Sequence, residues 1–349
     1  MHEELSGVRI MAYTTIDNPS EYFTTVLSTS TGSALTIDTG FKPDWLWTKA
    51  RNFTRSHEIH DTIRGDNKRL KSDANTAEES YSNYLAFTST GATFGTNHNL
   101  GYHADGATTG VSWAWKANGG TTSTDTNGSQ NSTVQVNSTA GFSIVKRTGT
   151  GSAGATYGHG LGAVPEVIIN KGLNTNEWYS YFKAIGGGTH WMNLDETNAA
   201  IDDANMWHDT DATNTVFTVG NSGGSNGSGV EYIAYCFTPI QGYSKFGVFT
   251  GNGSTNGPFV YTGFKPAWLM IKETISGGSW GMWDNKRTPT NTMKIRLLAN
   301  TNAADDTSND NSVDFLSNGF KMRTSSGSFN QNSTNILYMA FAEHPFVSS

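Results

Sequence analysis

The sequence predicts an all-β protein built from three tandem β-sandwich repeats of the jelly-roll or lectin-like type, and three observations carry that prediction. The first is a repeated anchor. Gly263–Lys272 (Gly-Phe-Lys-Pro-Ala-Trp-Leu-Met-Ile-Lys) has a near copy at 40–49 (Gly-Phe-Lys-Pro-Asp-Trp-Leu-Trp-Thr-Lys) and a looser one at 160–171. In each a proline (Pro43, Pro165, Pro266) precedes strand-forming residues that end in lysine (Lys49, Lys171, Lys272). Proline opens strands but does not sit inside central ones, so each anchor reads as a turn feeding a buried strand. The second is a closing motif of bulky residues around an alanine, with Ala114, Ala234 and Ala340 at nearly equal distances from the three prolines and Phe94, Phe217 and Phe320 in between. The third is composition: 39 Gly and only 15% charged residues among abundant Ser, Thr and Asn suit short strands joined by tight turns.

Taken in order, the first repeat spans 1–118. Strands are expected at 8–16, 22–27, 34–38, 44–48, 57–63, 84–88 and 111–116, with a helix over 75–87 as the best helical candidate in the chain. The anchor 44–48 alternates poorly, which predicts burial on both faces. Residues 119–138 are polar and Gly-rich and are expected as a linker, with 133–136 able to pair. The second repeat, 139–240, should place strands at 142–148, 167–170, 178–182, 191–194, 216–219 and 232–237. The third, 241–349, follows abruptly, with strands at 246–250, 259–262, 268–272, 280–284, 295–298 and 337–342. Units of this size can each bury a core, and the abrupt second boundary predicts closer packing between units two and three than between one and two.

A net charge of −7 and a sequence pI near 5.7 argue against a nucleic-acid surface, which needs clustered cations. No run approaches the length of a membrane span, and Met1–Ile10 lacks the apolar core of a signal peptide. Cys236 is the single cysteine and falls on a closing strand, where a small buried thiol is expected.

Several motifs invite chemistry. Gly149–Gly154 matches the dinucleotide spacing G-x-G-x-x-G, but the following residues cannot open a helix, so a turn is expected. His57, His60 and Asp61, with His98 and His103 further on, are metal-capable, although His57 and His60 would face opposite sides of a strand. The acidic run 305–314, Asp125, and the Asp202/Asp203 and Asp209/Asp211 clusters are the stretches that would take calcium, but they lack the spacing of a known calcium loop, so solvated acidic turns and no cofactor are expected. Asp61 with Arg64 recurs as Asp284 with Arg287, and reads as a salt bridge ordering a turn. No nucleophile elbow or zinc-protease motif occurs, so no enzyme is expected.

Ten tryptophans offer aromatic faces for sugars. The expected carbohydrate site is Trp280, Trp283, Asp284 and Asn285. Trp280 and Trp283 point to opposite faces of a strand, so one is core and the other partly exposed beside the polar pair. The competing expectation is that a neighbouring unit or subunit buries both.

The anchor 263–272, together with Phe315-Leu-Ser-Asn-Gly-Phe320, Ile336–Pro345, Gly141-Phe-Ser-Ile-Val145 and Gly158–Pro165, resembles a repeat domain of marine bacteriophage tail-fibre and virion structural proteins. The resemblance covers nearly the whole chain. It implies a concanavalin-A/SPRY-like sandwich and a place on a virion; the expected partners are other virion proteins and, for an adhesin, host-surface polysaccharide, with the chain as a homo-oligomer. It supplies no catalytic residue. Fibre proteins of this kind carry a long N-terminal anchor or shaft, for which Met1–Gly7 is too short, so the expected role is an accessory virion protein: a small adhesin, or a capsid or tail decoration protein.

Overall fold

The computed structural model describes residues 13–30, 32–96, 107–275, 277–308 and 312–345. Antiparallel strands dominate them, and the same strand order occurs three times. In the first unit an opening strand Phe23–Thr29 pairs with a closing strand Thr109–Trp115, which pairs with the anchor strand Trp45–Ala50, which pairs with a return strand Glu58–Asp61. The second unit uses Phe142–Thr148, Glu231–Phe237, Val167–Gly172 and Trp178–Phe182 in that order. The third uses Ser244–Thr250, Asn335–Pro345, Phe264–Glu273 and Gly281–Asp284. Each main sheet has a smaller companion: Leu35–Asp38, Gly91–Phe94 and Leu85–Phe87; then Ala155–Gly158 and Val216–Val219; then Phe259–Tyr261, Gly319–Met322 and Val313–Leu316.

Alternation along the anchor strands explains the packing. The residue three beyond each proline (Leu46, Ile168, Leu269) turns toward its unit's own small sheet, where Phe94, Phe217 and Phe320 meet it in three separate clusters. The residues on either side (Trp45 and Trp47, Val167 and Ile169, Trp268 and Met270) turn the other way into one core common to all three units. Trp45 stacks on Tyr235 of the second unit with ring centres 4.6 Å apart. Trp115 meets Trp268 of the third at 5.7 Å, and Phe237 meets Phe341 at 5.7 Å. Each such aromatic pair contributes about 0.5–1.5 kcal/mol beyond its buried area. Each unit thus keeps a core of its own beneath its small sheet, and the other face of each main sheet packs into the core shared with its neighbours.

Other expectations change as well. Residues 119–138 are not a free linker, because Ser123–Asp125 and Ser132–Asn137 pair in sequence and extend the second unit's sheet to eight strands. The first and second units are tied further by the Trp178 indole N–H donating to the Lys71 carbonyl at 2.7 Å and by main-chain bonds from Glu78 to Leu173 and Asn176 to Asn75. Residues 75–87 hold the strands Glu79–Ser80 and Leu85–Phe87, not a helix. Pro266 lies inside its strand at a bulge, where proline is tolerated, instead of opening it. In the second unit Cys236, not Ala234, stands opposite the residue three beyond the proline, as Ala114 and Ala340 do.

Candidate functional site

The residues expected to bind carbohydrate are close together, but they face inward. Trp280 is 1% exposed; its indole N–H donates to the Asn193 carbonyl of the second unit at 2.8 Å, and its ring stacks on Phe182. Trp283 is fully buried edge-on to Phe329 in the third unit's own cluster. Both faces of their strand are covered, one by the common core and one by the small sheet, so neither indole presents a face to a sugar. Asp284 is equally buried.

Asp284 and Arg287 form a closed network. The Asp284 carboxylate accepts from the Arg287 backbone N–H at 2.8 Å and its Nε at 2.5 Å, and Arg287 also donates to Met282 O and Asp305 Oδ1. Asp61 and Arg64 repeat it, with Ile59 O and Glu78 as the further acceptors. Each aspartate also reaches the next unit: Asp284 accepts the Trp113 indole N–H at 3.1 Å, and Asp61 accepts the Tyr235 hydroxyl at 2.7 Å. By strand register the third member of this set is Phe182, opposite Val167 as Asp61 is opposite Trp45 and Asp284 opposite Trp268. The register counterpart of Trp113 and Tyr235 is Met339. Phe182 and Met339 both lie in the common core. A charged acceptor and its donor are thus replaced together by two apolar side chains.

Asn285, the fourth expected residue, is the one that reaches an opening. A cleft of about 180 Å³ lies between the opening strand of the first unit and the third unit. Phe23 and Ala267 floor it, and Thr25, Asn285, Lys286 and His344 line its walls. Thr25 and Asn285 are 6% and 8% exposed, and neither Thr25 Oγ1 nor Asn285 Oδ1 has a hydrogen-bond partner. Burying such an atom unpaired costs about 1–3 kcal/mol, and here two of them line one opening. Sequence reasoning named Asn285 but missed Thr25, whose only signal is its place on an edge strand.

A family model described as a domain of unknown function, DUF7483, matches residues 18–345. The chain belongs to the DUF7483 family. Its single match runs through all three strand sets, from the first 3-10 turn to the last closing strand. No curated protein and no solved structure matches the chain.

The anchor lysines and several other buried titratable groups of this DUF7483 chain are held by its own framework. Lys49, Lys171 and Lys272 are buried, with amines donating to the carbonyls of Ala50, Gly172 and Glu273 at 2.7, 2.8 and 2.6 Å. Burial pulls each of the three down to about 8. Burial likewise pushes the Asp195 carboxyl up to about 7 and the Cys236 thiol up to about 12. His57 accepts the Trp47 indole N–H on Nδ1 at 2.8 Å and has Nε2 3.0 Å from Leu298 O, which fixes the Nε2–H tautomer and occupies its free lone pair. His60 is held by Lys68 O on its Nδ1, and His98 and His103 lie outside the described residues.

Of the acidic run, Asp305 pairs with Arg51 and Arg287, Asp306 with Arg296, and Asp314 with Arg323. Asp125 accepts from Asn127, Asp203 from Asn205, and Asp211 from Tyr181 and Gly188. Among the described residues no group of three or more His, Cys, Asp or Glu is placed to hold a metal ion. Residues 149–154 connect two strands without a following helix, as a turn requires.

Proposed function

We propose that this chain is a non-enzymatic structural protein of a bacteriophage virion, acting as a decoration protein of capsid or tail through contacts with other virion proteins. The observation that carries the reading is where the chemistry-bearing side chains go. Trp280, Asp284 with Arg287, and Asp61 with Arg64 all fasten one unit to the next. Side chains that a catalytic or sugar-binding surface would display are used to make one rigid body, which suits a protein whose work is mechanical. The resemblance of 263–272 and 336–345 to virion repeat domains supplies the setting. Immunolabelling of purified virions tests it: label spread over capsid or tail is expected, and absence of the chain from purified particles would overturn it.

A second reading, an adhesin for host-surface polysaccharide, is favoured by a different observation. Phe259 and Tyr261 are 46% and 48% exposed two residues apart on one strand, so their rings share a face, and Lys245 lies 5.3 Å from the Tyr261 ring centre. Paired exposed rings beside a cation suit a sugar's apolar face and hydroxyls. Label confined to fibre tips, with glycan-array binding lost in Tyr261→Ala, would select this reading over decoration.

A further inference from the structure

The three units meet at three junctions that are related by register but finished differently. At the first–second junction the opening strand Phe142–Thr148 has its outer edge covered by the strand Ser132–Asn137, with Gln135 opposite Ile144. Gln135 is fully buried and its amide lies 2.7 Å from the Thr62 hydroxyl, which is itself 2.8 Å from Asp44 Oδ1. With the amide turned so that its NH₂ faces Thr62, Gln135 donates to the hydroxyl and the hydroxyl donates to Asp44.

At the third–first junction Ile144 and Thr62 have polar counterparts, Asp44 is replaced by Ala267, and no described strand takes the place of Ser132–Asn137. Phe23 faces Trp115 as Phe142 faces Phe237, so Thr25 corresponds to Ile144. Asn285 stands as far beyond Pro266 as Thr62 stands beyond Pro43. The opening strand Phe23–Thr29 is the outermost of its sheet, with no described strand beyond it. Main-chain bonds from Lys116 to Tyr22 and from Ser30 to Thr108 fix the alternation, which turns the N–H and C=O groups of Phe23, Thr25, Leu27 and Thr29 toward the side that no described strand covers. There lies the 180 Å³ cleft with the unpartnered Thr25 Oγ1 and Asn285 Oδ1. At the remaining junction the opening strand Ser244–Thr250 is likewise outermost, but Phe246 occupies the register position and Ala184 the turn position, neither with a side-chain polar group.

We propose that the free edge of Phe23–Thr29 and the adjoining cleft form a docking site for an extended segment of another protein, added as an antiparallel strand with a glutamine or asparagine opposite Thr25. The chain itself displays what such an occupant looks like. In Ser132–Asn137 (Ser-Thr-Val-Gln-Val-Asn), Val134 stands opposite Val145 and packs into the second unit's own cluster. The corresponding position on the free edge is Val26, which with Leu35 is only partly buried against its cluster. The occupant is therefore an apolar–amide–apolar segment. Its amide reaches Asn285 Oδ1 and the Thr25 hydroxyl, its flanking apolar residue covers Val26, and its main chain pairs with an edge that would otherwise stay open. The site does not depend on where the assembly is located, so its test is separate from virion labelling.

The probe is a synthetic peptide of residues 130–138, titrated into the full isotope-labelled chain with amide exchange read residue by residue. Saturable binding that protects the amides of Phe23, Thr25, Leu27 and Thr29 is expected. Affinity should fall about tenfold or more for the peptide with leucine in place of Gln135, and for the chain carrying Asn285→Ala, at unchanged melting temperature. A Thr25→Val chain, isosteric with the parent, serves as the second variant and should weaken binding in the same direction. No protection of this strand at millimolar peptide would overturn the proposal. So would protection of Phe142–Thr148 instead, equal binding of the leucine peptide, or protection by oligosaccharides where the peptide gives none.

Discussion

The carboxylate of Asp284 in the third unit accepts the indole N–H of Trp113 in the first, 171 positions earlier, at 3.1 Å, with both side chains buried. Asp61 and Tyr235 repeat the contact between the first and second units at 2.7 Å. Each aspartate also forms the turn-ordering salt bridge that the spacing predicts, with the arginine three residues on, and the pair is buried. An Arg287→Ala chain leaves the Asp284 carboxylate buried without its cation, so the loss of stability should be about 3–5 kcal/mol, against about 1 kcal/mol or less for an exposed pair. Equilibrium urea unfolding measures it.

The apolar junction supplies a sharper version. Asp284→Phe combined with Arg287→Ile and Trp113→Met copies Phe182, Ile185 and Met339 into the third–first junction. Replacing a buried ion pair by packed apolar groups is often neutral, whereas breaking it is not. The triple variant should therefore be more stable than Arg287→Ala alone. A triple variant that is less stable than the single would show that the register equivalence has no energetic meaning.

Trp280 and Trp283 are core residues of two different clusters, and Trp→Ala at either should cost about 3–5 kcal/mol. Trp280→Ala should act across the second–third junction, raising amide exchange around Asn193 as well as around its own strand. Sugar binding by either variant, compared with the parent chain, should be unchanged.

The three anchor lysines make stability depend on alkaline pH. Their folded values lie near 8, below the ordinary lysine value of 10.5, because burial disfavours the ammonium. Between those two values the unfolded chain binds more protons than the folded one, so stability rises with pH across that window. Below pH 8 the amines are charged in both states and the burial cost is present in full. The melting temperature should rise between about pH 8 and 10, and Lys→Met at 49, 171 and 272 should flatten the slope in proportion to the number replaced.

The anchor strands were readable because proline followed by tryptophan, leucine, isoleucine or methionine marks both a strand start and two buried faces. What lay against the inner face was not readable, since alternation says that Trp45 and Trp268 are buried but not that they share a core. Of the small-sheet strands, those at 34–38, 84–88, 216–219 and 259–262 are legible in the sequence, whereas two others are not, for a local reason. Gly91–Phe94 and Gly319–Met322 are four residues each and begin at glycine, normally a breaker. A Cβ at Gly91 would lie 1.9 Å from Ile37 O, and one at Gly319 would lie 2.0 Å from Val260 O, so glycine is required by the neighbouring strand. In the second closing strand the alanine at 234 drew the repeat two residues out of register, because a small side chain is what the position needs and Cys236 meets that need as well as alanine does. The candidate carbohydrate residues lie within six positions of one another in the sequence. Their orientation depended on the other two units, which no local pattern encodes.

The account rests most heavily on the three units sharing one core, and hydrogen exchange through a denaturant series tests that directly. Amides of Trp45–Ala50, Val167–Gly172 and Phe264–Glu273 should lose protection together, at one denaturant concentration and with one slope. Three separate transitions, with any one anchor strand opening while the others stay protected, would contradict it.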